Sequence, residues 1–399
     1  MRFLAREGTA TRAPISVSKT RVEDDMVQAT RFISATETSI SWESGHSGFL
    51  SSYVGDQKRD HESFAAEGFA ALALADREIA ENRRVNCPIV RPAASFAGGA
   101  SFDRVCVLIH GLNERSWDKY VSWAQAIADR ALCPVVLFPI AFHMDRSPAA
   151  WADFGIMRGV SKERNARIGG LKQSSMANAA ISERLDEAPG RFFLSGLMAA
   201  HDLGDLARSL KEGEVPGISA GARLGFFGYS IGTYLLQCLS LADEGFALAG
   251  KRFLFCGGPF LSAMRPVSKY IMDSKAHERL LDFWVYALAD ELRKDAELAA
   301  LIDTPEGRAY CAMVDPRHPQ MGRKEFFSNG ETQVASLSGD DVMPRQAILD
   351  FFEGTGVRPL FIDLPPVCTH IAPFNPLGGE EVSPAFDRLF SEAAEHLFG

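Results

Sequence analysis

Six short, almost purely apolar runs recur along the chain from about residue 105 onward, separated by longer helical or polar segments. The runs are Val105–Ile109, Pro134–Ile140, Leu224–Phe227, Phe253–Phe255, Val334–Leu337 and Leu360–Leu364. Runs this continuous are typical of strands that are covered on both faces. Because strands that alternate with helices are joined by right-handed crossovers, the sequence predicts the α/β class, with a mostly parallel sheet wound on both faces.

Residues 88–399 are predicted to form one α/β domain, since enzymes of this class often carry a single sheet with insertions at such lengths. Two interstrand segments are too long for simple crossovers, so we predict helical insertions at about 144–190 and 259–331. A helix at about 191–211 follows the first insertion. The second insertion contains an apolar stripe over about 277–303, and it either only packs on the domain or also closes over a substrate pocket as a lid.

Residues 1–87 have a different pattern, rich in Ser, Thr and Gly, with short alternating pieces such as the one at 39–42. Residues 62–84 are predicted to be helical from the spacing of their apolar side chains. We interpret residues 1–87 as an extension packed on the core, in preference to an independent functional module.

Charge and hydropathy exclude several classes of protein. The chain has 42 Lys and Arg against 51 Asp and Glu, a net charge of -9 without a long run of one sign, which argues against nucleic acid as a partner. No apolar stretch approaches the length of a membrane-spanning helix, and the apolar run at the N-terminus ends too early for a signal peptide. The seven cysteines are scattered, with no C-x-x-C pair, so a reducing cytoplasm is predicted.

The segment Gly228-Tyr229-Ser230-Ile231-Gly232 lies directly between an apolar run and a helical pattern. A serine on so tight a strand-to-helix turn is forced into a strained backbone conformation, and small residues two before and two after it relieve the crowding. Its hydroxyl is then exposed at the sheet edge, near the positive end of the new helix. We predict that Ser230 is a nucleophile.

A second motif lies 120 residues upstream, where the run Val105–Ile109 ends in His110-Gly111. With the serine turn, it resembles the α/β-hydrolase superfamily, in which a strand followed by His-Gly supplies half of the oxyanion hole. The resemblance implies that the backbone amides of Leu112 and Ile231 are the oxyanion donors. It also implies that His110 is a structural turn residue and not the catalytic base.

The pairing of HGLNERSW with PIAFHMDRSP is similar to that in a set of bacterial α/β hydrolases of unknown function. This likeness covers about residues 90–385 and implies no particular substrate.

The catalytic base is sought among the histidines that follow the serine and an acid, because the superfamily order is Ser, then Asp or Glu, then His. His370 and His396 are the two that follow the acids considered below. His396 lies in a predicted C-terminal helix at about 382–397, where a satisfied or solvent-facing histidine is expected. His370 lies in a Pro-rich loop just past the last predicted strand, so His370 is the predicted base.

The acid is predicted in the turn Ser338-Gly339-Asp340-Asp341-Val342-Met343-Pro344. This turn resembles the superfamily's G-x-x-D-x-x-V-P pattern, which selects Asp340. Asp341 remains the adjacent alternative, and Asp273 and Asp303 are weaker candidates in the preceding insertion. An Asp-Asp pair that only caps a helix or rounds a turn is the competing interpretation.

Polar residues close to these motifs are candidates for substrate binding: Asn113, Arg115, Tyr229 and His143. For His143, Arg115 and Arg146 two interpretations stay open, namely binding of an acidic substrate group and pairing with nearby carboxylates. The pairing is preferred for each.

The leading functional hypothesis is a serine hydrolase that cleaves a carboxylic ester of a small acyl substrate, with thioesters and amides as alternatives. The competing hypothesis is a catalytically silent α/β-hydrolase scaffold that binds a partner. No phosphate-binding glycine loop or metal-ligand spacing is present in the sequence, so we predict neither cofactor nor metal. Cys368 is interpreted as a pocket-wall residue, since no strand-to-helix turn surrounds it.

Overall fold

The computed structural model describes residues 34–35, 38–50, 72, 74–93, 101–243, 246, 250–318 and 326–399. Their strands form a nine-stranded sheet in the order β1-β2-β3-β5-β4-β6-β7-β8-β9. The strands are β1 (Ser34–Ala35), β2 (Ser39–Glu43), β3 (Arg84–Val90), β4 (Phe102–Ile109), β5 (Val135–Phe138), β6 (Ile218–Tyr229), β7 (Gly250–Phe255), β8 (Thr332–Leu337) and β9 (Leu360–Ile362).

The sheet is parallel from β5 through β4, β6, β7 and β8 to β9, and antiparallel among β1, β2, β3 and β5. At its centre, Val107 of β4 is paired with Val136 of β5 and Phe226 of β6. The predicted fold class is therefore confirmed: the chain is α/β, with a mostly parallel sheet. Each of the six predicted strands is present, with bounds shifted by a few residues at some ends.

Helices follow most of the parallel strands and cover both faces of the sheet. They are α1 (Ala80–Arg83), α2 (Asp118–Ala131), α3 (Phe154–Arg167), α4 (Ala179–Glu187), α5 (Arg191–Glu212), α6 (Ile231–Ala242), α7 (Ser274–Leu281), α8 (Leu288–Lys294), α9 (Ala296–Ile302), α10 (Pro305–Val314), α11 (Arg345–Phe352) and α12 (Val382–Phe398). A π-helical turn at Asp282–Ala287 joins α7 to α8. Within the described residues, no helix combines the length and the apolar character that a membrane crossing requires.

The described part of the N-terminal region adds antiparallel strands to the central sheet, because β3 pairs with β5 and β2 pairs with β3. The predicted division between residues 87 and 88 falls inside β3. Residues 62–71 and 73 of the predicted helix at 62–84 lie outside the described residues. In its described C-terminal part only Ala80–Arg83 are α-helical (α1), after a 3-10 turn at Asp76–Glu78, and Arg84 already begins β3.

The core lies on both sides of the sheet. Along β4, Val105, Val107 and Ile109 contribute to one apolar cluster, and Cys106 and Leu108 contribute to the other. All five are fully buried, as expected where successive side chains of a strand point to opposite, covered faces. The central strand β4 is therefore packed on both faces.

The two predicted insertions are joined by a buried ion cluster around Arg164 of α3. Its guanidinium donates to Asp273 at the start of α7, with one N–O distance of 3.0 Å, and to Glu183 and Asp186 of α4 at 2.7 and 2.9 Å. The Arg164 and Asp273 side chains are fully buried. These ion pairs connect α3, α4 and α7. Separating the helices would leave uncompensated buried charges, which is costly.

Candidate active site

Ser230 lies on the sharp turn between the end of β6 and the start of α6. Its backbone has φ 55° and ψ -118°, a strained conformation for a residue with a side chain. Two hydrogen bonds hold the turn: the Ser230 amide donates to the Phe255 carbonyl at 3.0 Å, and the Thr233 hydroxyl donates to the Ser230 carbonyl at 2.6 Å. The side chain of Ser230 is consequently presented at the edge of the sheet where β6 ends.

The two glycines of the motif are needed for close packing of this turn. A Cβ at Gly232 would lie 2.6 Å from the Ile109 carbonyl oxygen and 2.8 Å from that of His110, and a Cβ at Gly228 would lie 2.9 Å from the Thr233 nitrogen. Real Cβ atoms do not approach backbone atoms so closely. The two glycines therefore have steric causes: Gly232 packs against the end of β4, and Gly228 packs against the first turn of α6.

Substitution of Gly232 by alanine is expected to destabilise the protein by about 1–3 kcal/mol, because the new methyl group must displace backbone of β4. Urea unfolding measures the change. Gly204→Ala in α5 is the matched control, since a Cβ there meets nothing within 4 Å, and it should stabilise the helix by up to about 1 kcal/mol. Equal stability of the two variants would contradict the steric explanation.

His370 connects Ser230 to Asp340. The His370 Nε2 lies 2.8 Å from the Ser230 Oγ, and the His370 Nδ1 lies 2.9 and 3.1 Å from the two carboxylate oxygens of Asp340. All three residues are at most 6% exposed. The chain separates them by 140 and 30 residues, and the loops that follow β6, β8 and β9 bring them together.

Asp340, and not Asp341, faces the imidazole. The Asp340 Oδ1 also accepts hydrogen bonds from the amides of Val342 and Met343, at 2.9 and 2.8 Å, whereas Asp341 is exposed. The turn thus orients one carboxylate inward and leaves the next in solvent.

The weaker acid candidates lie elsewhere. Asp273 belongs to the Arg164 cluster and caps α7. Asp303 has a largely exposed side chain that pairs with Arg308. The other base candidate, His396, lies on α12 with its Nε2 3.3 Å from the Glu331 carbonyl.

Tyr229 and Lys119 hold the loop that carries His370. The Tyr229 hydroxyl donates to the His370 carbonyl, and the two rings are stacked with centroids 5.5 Å apart. Lys119 donates to the carbonyl of Ile371 at 3.2 Å. Burial raises the pKa of Tyr229 well above its usual value, so its hydroxyl stays protonated and remains a donor. Tyr229, a candidate for substrate binding, is stacked against the His370 imidazole and does not line the pockets around Ser230.

His110, at the end of β4, is a structural residue. Its Nδ1 donates to the Gly111 carbonyl at 2.7 Å, and its Nε2 accepts from the Ile140 amide at 2.9 Å. Burial and the neighbouring His143 lower the pKa of His110 well below its usual value. The neutral ring therefore ties β4 to the segment after β5.

Three adjoining cavities meet at Leu112 and Phe192, which line all of them. The serine cavity is lined by Ser230, Ile231 and apolar side chains of the second insertion such as Met264. The apolar cavity extends between α5 and α6. The arginine cavity is lined by Arg115, Arg184 and Arg191 together with aromatic and aliphatic side chains.

The residues predicted as oxyanion donors, Leu112 and Ile231, both line the serine cavity. A Cβ built on Gly111, next to Leu112, would lie 3.4 Å from the Ser230 Cβ, so the end of β4 directly adjoins the serine. A carbonyl group bound at Ser230 would consequently lie near the backbone of both residues.

The other pocket candidates divide into two groups. Asn113, Arg115 and His143 line the arginine cavity. Arg146 has the predicted carboxylate partner, since it donates to Asp202 at 2.8 Å in a fully buried pair. Among the described residues no carboxylate pairs with Arg115, which donates to Ser147 and Asn113, so the preferred pairing is wrong for Arg115.

His143 also lacks a carboxylate partner among the described residues, and its Nδ1 donates to the Ala141 carbonyl at 2.9 Å. Burial, more than offsetting that hydrogen bond, lowers the pKa of His143 to about 4. The ring is therefore neutral at pH 7, and it does not supply a positive charge to the cavity.

Two wall residues have no signal in the sequence. Phe192, at the start of α5, lines all three cavities, and Arg184 of α4 lines one of them. An arginine among Glu and Asp residues in a short helix is typical of a solvated face. Arg184 is buried because α4 packs against the arginine cavity, which the sequence pattern does not indicate.

Within the described part of the chain, one group of side chains has ligand atoms close enough to hold a metal ion: Cys256, Asp340 and His370, whose atoms lie within 4.8 Å of one another. Burial and the adjacent Asp340 raise the pKa of the Cys256 thiol well above its usual value, which opposes the thiolate that a metal requires. The Asp340 and His370 atoms are already joined by hydrogen bonds. Cys368 is buried beside the Asn375 carbonyl and does not line the three cavities.

Several solved structures of esterases and related hydrolases are similar to this chain. Carboxyl esterase 2 of the fungus Tuber melanosporum is 12% identical, with 79% of this chain and 82% of that one covered and a TM-score of 0.43. Esterase LipW of Mycobacterium marinum is 16% identical, with 79% and 78% covered and a TM-score of 0.41. A serine hydrolase without a lid from Xanthomonas campestris is 13% identical, with 79% and 91% covered and a TM-score of 0.38.

Identities this low do not transfer an activity from one chain to another, and no curated protein matches the sequence. A family model does match, over residues 19–398, and its description is a family of unknown function, DUF6051. Because the match extends over nearly the whole sequence, the chain belongs to the DUF6051 family.

Proposed function

We propose that this protein is a serine hydrolase that cleaves a carboxylic ester through an acyl-enzyme intermediate. The observation that carries the proposal is the continuous hydrogen-bonded chain from the Ser230 hydroxyl through the His370 imidazole to the Asp340 carboxylate. A nucleophile, a base and an acid that orients the base are what covalent acyl transfer requires.

In the first half of the reaction, the Ser230 Oγ attacks the ester carbonyl carbon and its proton passes to the His370 Nε2. Asp340 accepts from the Nδ1–H, which keeps the imidazole in the tautomer that can take this proton and stabilises the imidazolium that forms. The carbonyl oxygen becomes an oxyanion next to Leu112 and Ile231, whose backbone amides are proposed as its donors.

The tetrahedral intermediate then collapses and the bond to the leaving alcohol breaks. The alcohol takes the proton from His370 as it departs, leaving an acyl group on Ser230. In the second half, His370 removes a proton from a water molecule, the resulting nucleophile attacks the acyl carbon, and the carboxylic acid leaves as Ser230 regains its proton.

An ester with an apolar portion fits the walls of the site best. The serine cavity and the adjoining apolar cavity are lined mainly by aliphatic and aromatic side chains, and such a surface favours an apolar acyl or alcohol group. Thioesters and amides use the same residues and are the alternative substrates. A location in the cytoplasm stays a prediction from cysteine usage, and all seven cysteines are free thiols.

Labelling with a fluorophosphonate probe tests the proposal, because the probe reacts covalently with an activated serine. The wild-type protein is expected to be labelled, and Ser230→Ala is expected to lose the label. Ser240→Ala is the control, since Ser240 lies on α6 away from His370 and should stay labelled. A folded wild-type protein that is not labelled would support the silent scaffold instead.

A further inference from the structure

The arginine cavity has an excess of positive charge. Its described lining residues include Arg115, Arg184 and Arg191 and no carboxylate. Two carboxylates lie behind the wall: Asp76 accepts from both Arg184 and Arg191, and Glu187 accepts from Arg191. Among the residues that the structure describes, two negative charges therefore lie against three positive ones, an excess of one positive charge.

The surplus charge lies at the side of the cavity formed by Arg115. This guanidinium donates to the neutral Ser147 hydroxyl at 2.8 Å and to the Asn113 side-chain oxygen at 3.3 Å. Burial and the like charge of Arg184 lower the pKa of Arg115 to about 10, so it is still protonated at pH 7. Arg115 is only partly exposed, so its charge has lost part of its hydration without gaining a carboxylate partner, and a bound anion would compensate that loss.

Arg184 supplies a second, independent observation. Its side chain is only 7% exposed, and its Nη1 is buried without a hydrogen-bond partner among the described residues. Unsatisfied buried donors are rare in folded proteins. The guanidiniums of Arg184 and Arg115 both contact the Trp151 ring, 4.4 and 5.8 Å from its centroid, so the same aromatic side chain positions both cations at the cavity.

The position of the arginine cavity relates it to the serine. Leu112 and Phe192 line both the arginine cavity and the serine cavity. The Cα atoms of Leu112 and Arg115 are at most about 11 Å apart, because three residues span no more. A substrate of moderate length could therefore have its ester carbonyl at Ser230 and a second group in the arginine cavity.

We propose that the arginine cavity binds a carboxylate substituent of the substrate, so that the preferred esters carry one negative charge at the end remote from the scissile bond. This inference rests on the proposed hydrolase function. A carboxylate matches the single surplus charge, and its two oxygens can accept from the planar donors of arginine. Arg115 is accordingly a specificity-determining residue, and His143 keeps the cavity free of a further charge.

Two matched pairs of activated esters test the proposal. For a charge on the acyl side, mono-4-nitrophenyl adipate is compared with methyl 4-nitrophenyl adipate. For a charge on the alcohol side, 4-carboxyphenyl hexanoate is compared with its neutral methyl ester. In at least one pair the charged ester is expected to have a kcat/KM about 10- to 100-fold higher, chiefly through a lower KM, as one charge-assisted contact predicts.

Variants assign the preference to the arginine. In Arg115→Met, the ratio of kcat/KM for the charged ester to kcat/KM for the neutral ester should fall to about one. In Arg115→Lys, which keeps the charge, the ratio should stay between that value and the wild-type value. Arg388→Met is the control, since Arg388 is an exposed residue of α12 that pairs with Glu392, and its ratio should equal that of the wild type. The proposal is overturned if the wild-type enzyme hydrolyses the esters and prefers neither charged one, or if the preference persists in Arg115→Met.

A binding measurement separates this proposal from the hydrolase proposal. Isothermal titration calorimetry measures the Kd of the Ser230→Ala protein for monomethyl adipate and for dimethyl adipate, and it requires no catalytic turnover. Tighter binding of the monoanion, reduced about tenfold or more in Ser230→Ala/Arg115→Met, supports the anion cavity even if every ester proves inert. Equal binding of the two compounds, beside normal ester hydrolysis, overturns the anion cavity and leaves the hydrolase proposal standing.

Discussion

Replacement of Ser230 by alanine is expected to lower kcat for 4-nitrophenyl hexanoate by about 10⁶-fold, the scale seen when a triad serine is removed from a serine protease. The hydroxyl is the only group of the triad that forms a bond to the substrate, so its loss removes covalent catalysis. The remaining activity would come from binding and from the oxyanion donors alone. Initial rates at saturating ester, with folding checked by circular dichroism, measure the effect.

The double variant Ser230→Ala/His370→Ala provides the internal check. His370 acts through the proton of Ser230, with an Nε2 to Oγ distance of 2.8 Å, so its removal should cost little once the serine is gone. Groups that act as one unit show such non-additive losses. A further large loss in the double variant would mean that the imidazole activates some other nucleophile, and the mechanism proposed for Ser230 would be wrong.

Asp340→Asn is expected to lower kcat by about 10⁴-fold while preserving the fold, the loss known for this change in a serine protease triad. The amides of Val342 and Met343 both donate to the Asp340 Oδ1. In the variant, the asparagine oxygen therefore takes the position of this Oδ1, where it accepts the same two hydrogen bonds. The new amide nitrogen then takes the position of Oδ2, 2.9 Å from the His370 Nδ1. Because that nitrogen donates, the imidazole is held with its proton on Nε2 and cannot accept the proton of Ser230.

Asp341→Asn is the matched control, because it makes the same chemical change one residue away on an exposed side chain. Its kcat should stay within a few-fold of the wild-type value. Comparable losses in the two variants would show that the effect comes from the net charge of the turn, and the orienting function proposed for Asp340 would be rejected.

Elements governed by local sequence were predicted well. Continuous apolar runs indicated the six core strands, and the helical period at 191–211 indicated α5, which extends from Arg191 to Glu212. The strands β1, β2 and β3 were not predicted, although the alternating piece at 39–42 lies in β2. β3 carries both a proline and an asparagine, and it is an antiparallel strand beside β5, so it lacks the continuous apolar character of a doubly covered parallel strand.

Long-range packing decided the rest of the site. Arg115 and Arg146 are both arginines in polar loop segments that follow a strand, and the sequence predicts carboxylate partners for both. Arg146 pairs with Asp202, 56 residues further along, while Arg115 faces Arg184 in the arginine cavity. Which arginine meets an acid depends on how the helices α4 and α5 pack against the sheet edge, and no local pattern records this.

The sequence by itself indicated the α/β class, the strand-to-helix turn at Ser230 and the preference for His370 over His396. These follow from apolar periodicity, from the steric needs of a tight turn, and from the position of His370 in a loop past the last strand while His396 lies in a helix. Only the tertiary structure decided that Asp340 faces the imidazole, that Tyr229 supports His370 from below, and that three arginines share one cavity. The physical reason is that such contacts join residues far apart in the chain. Their geometry arises when separate loops and helices pack together at one edge of the sheet.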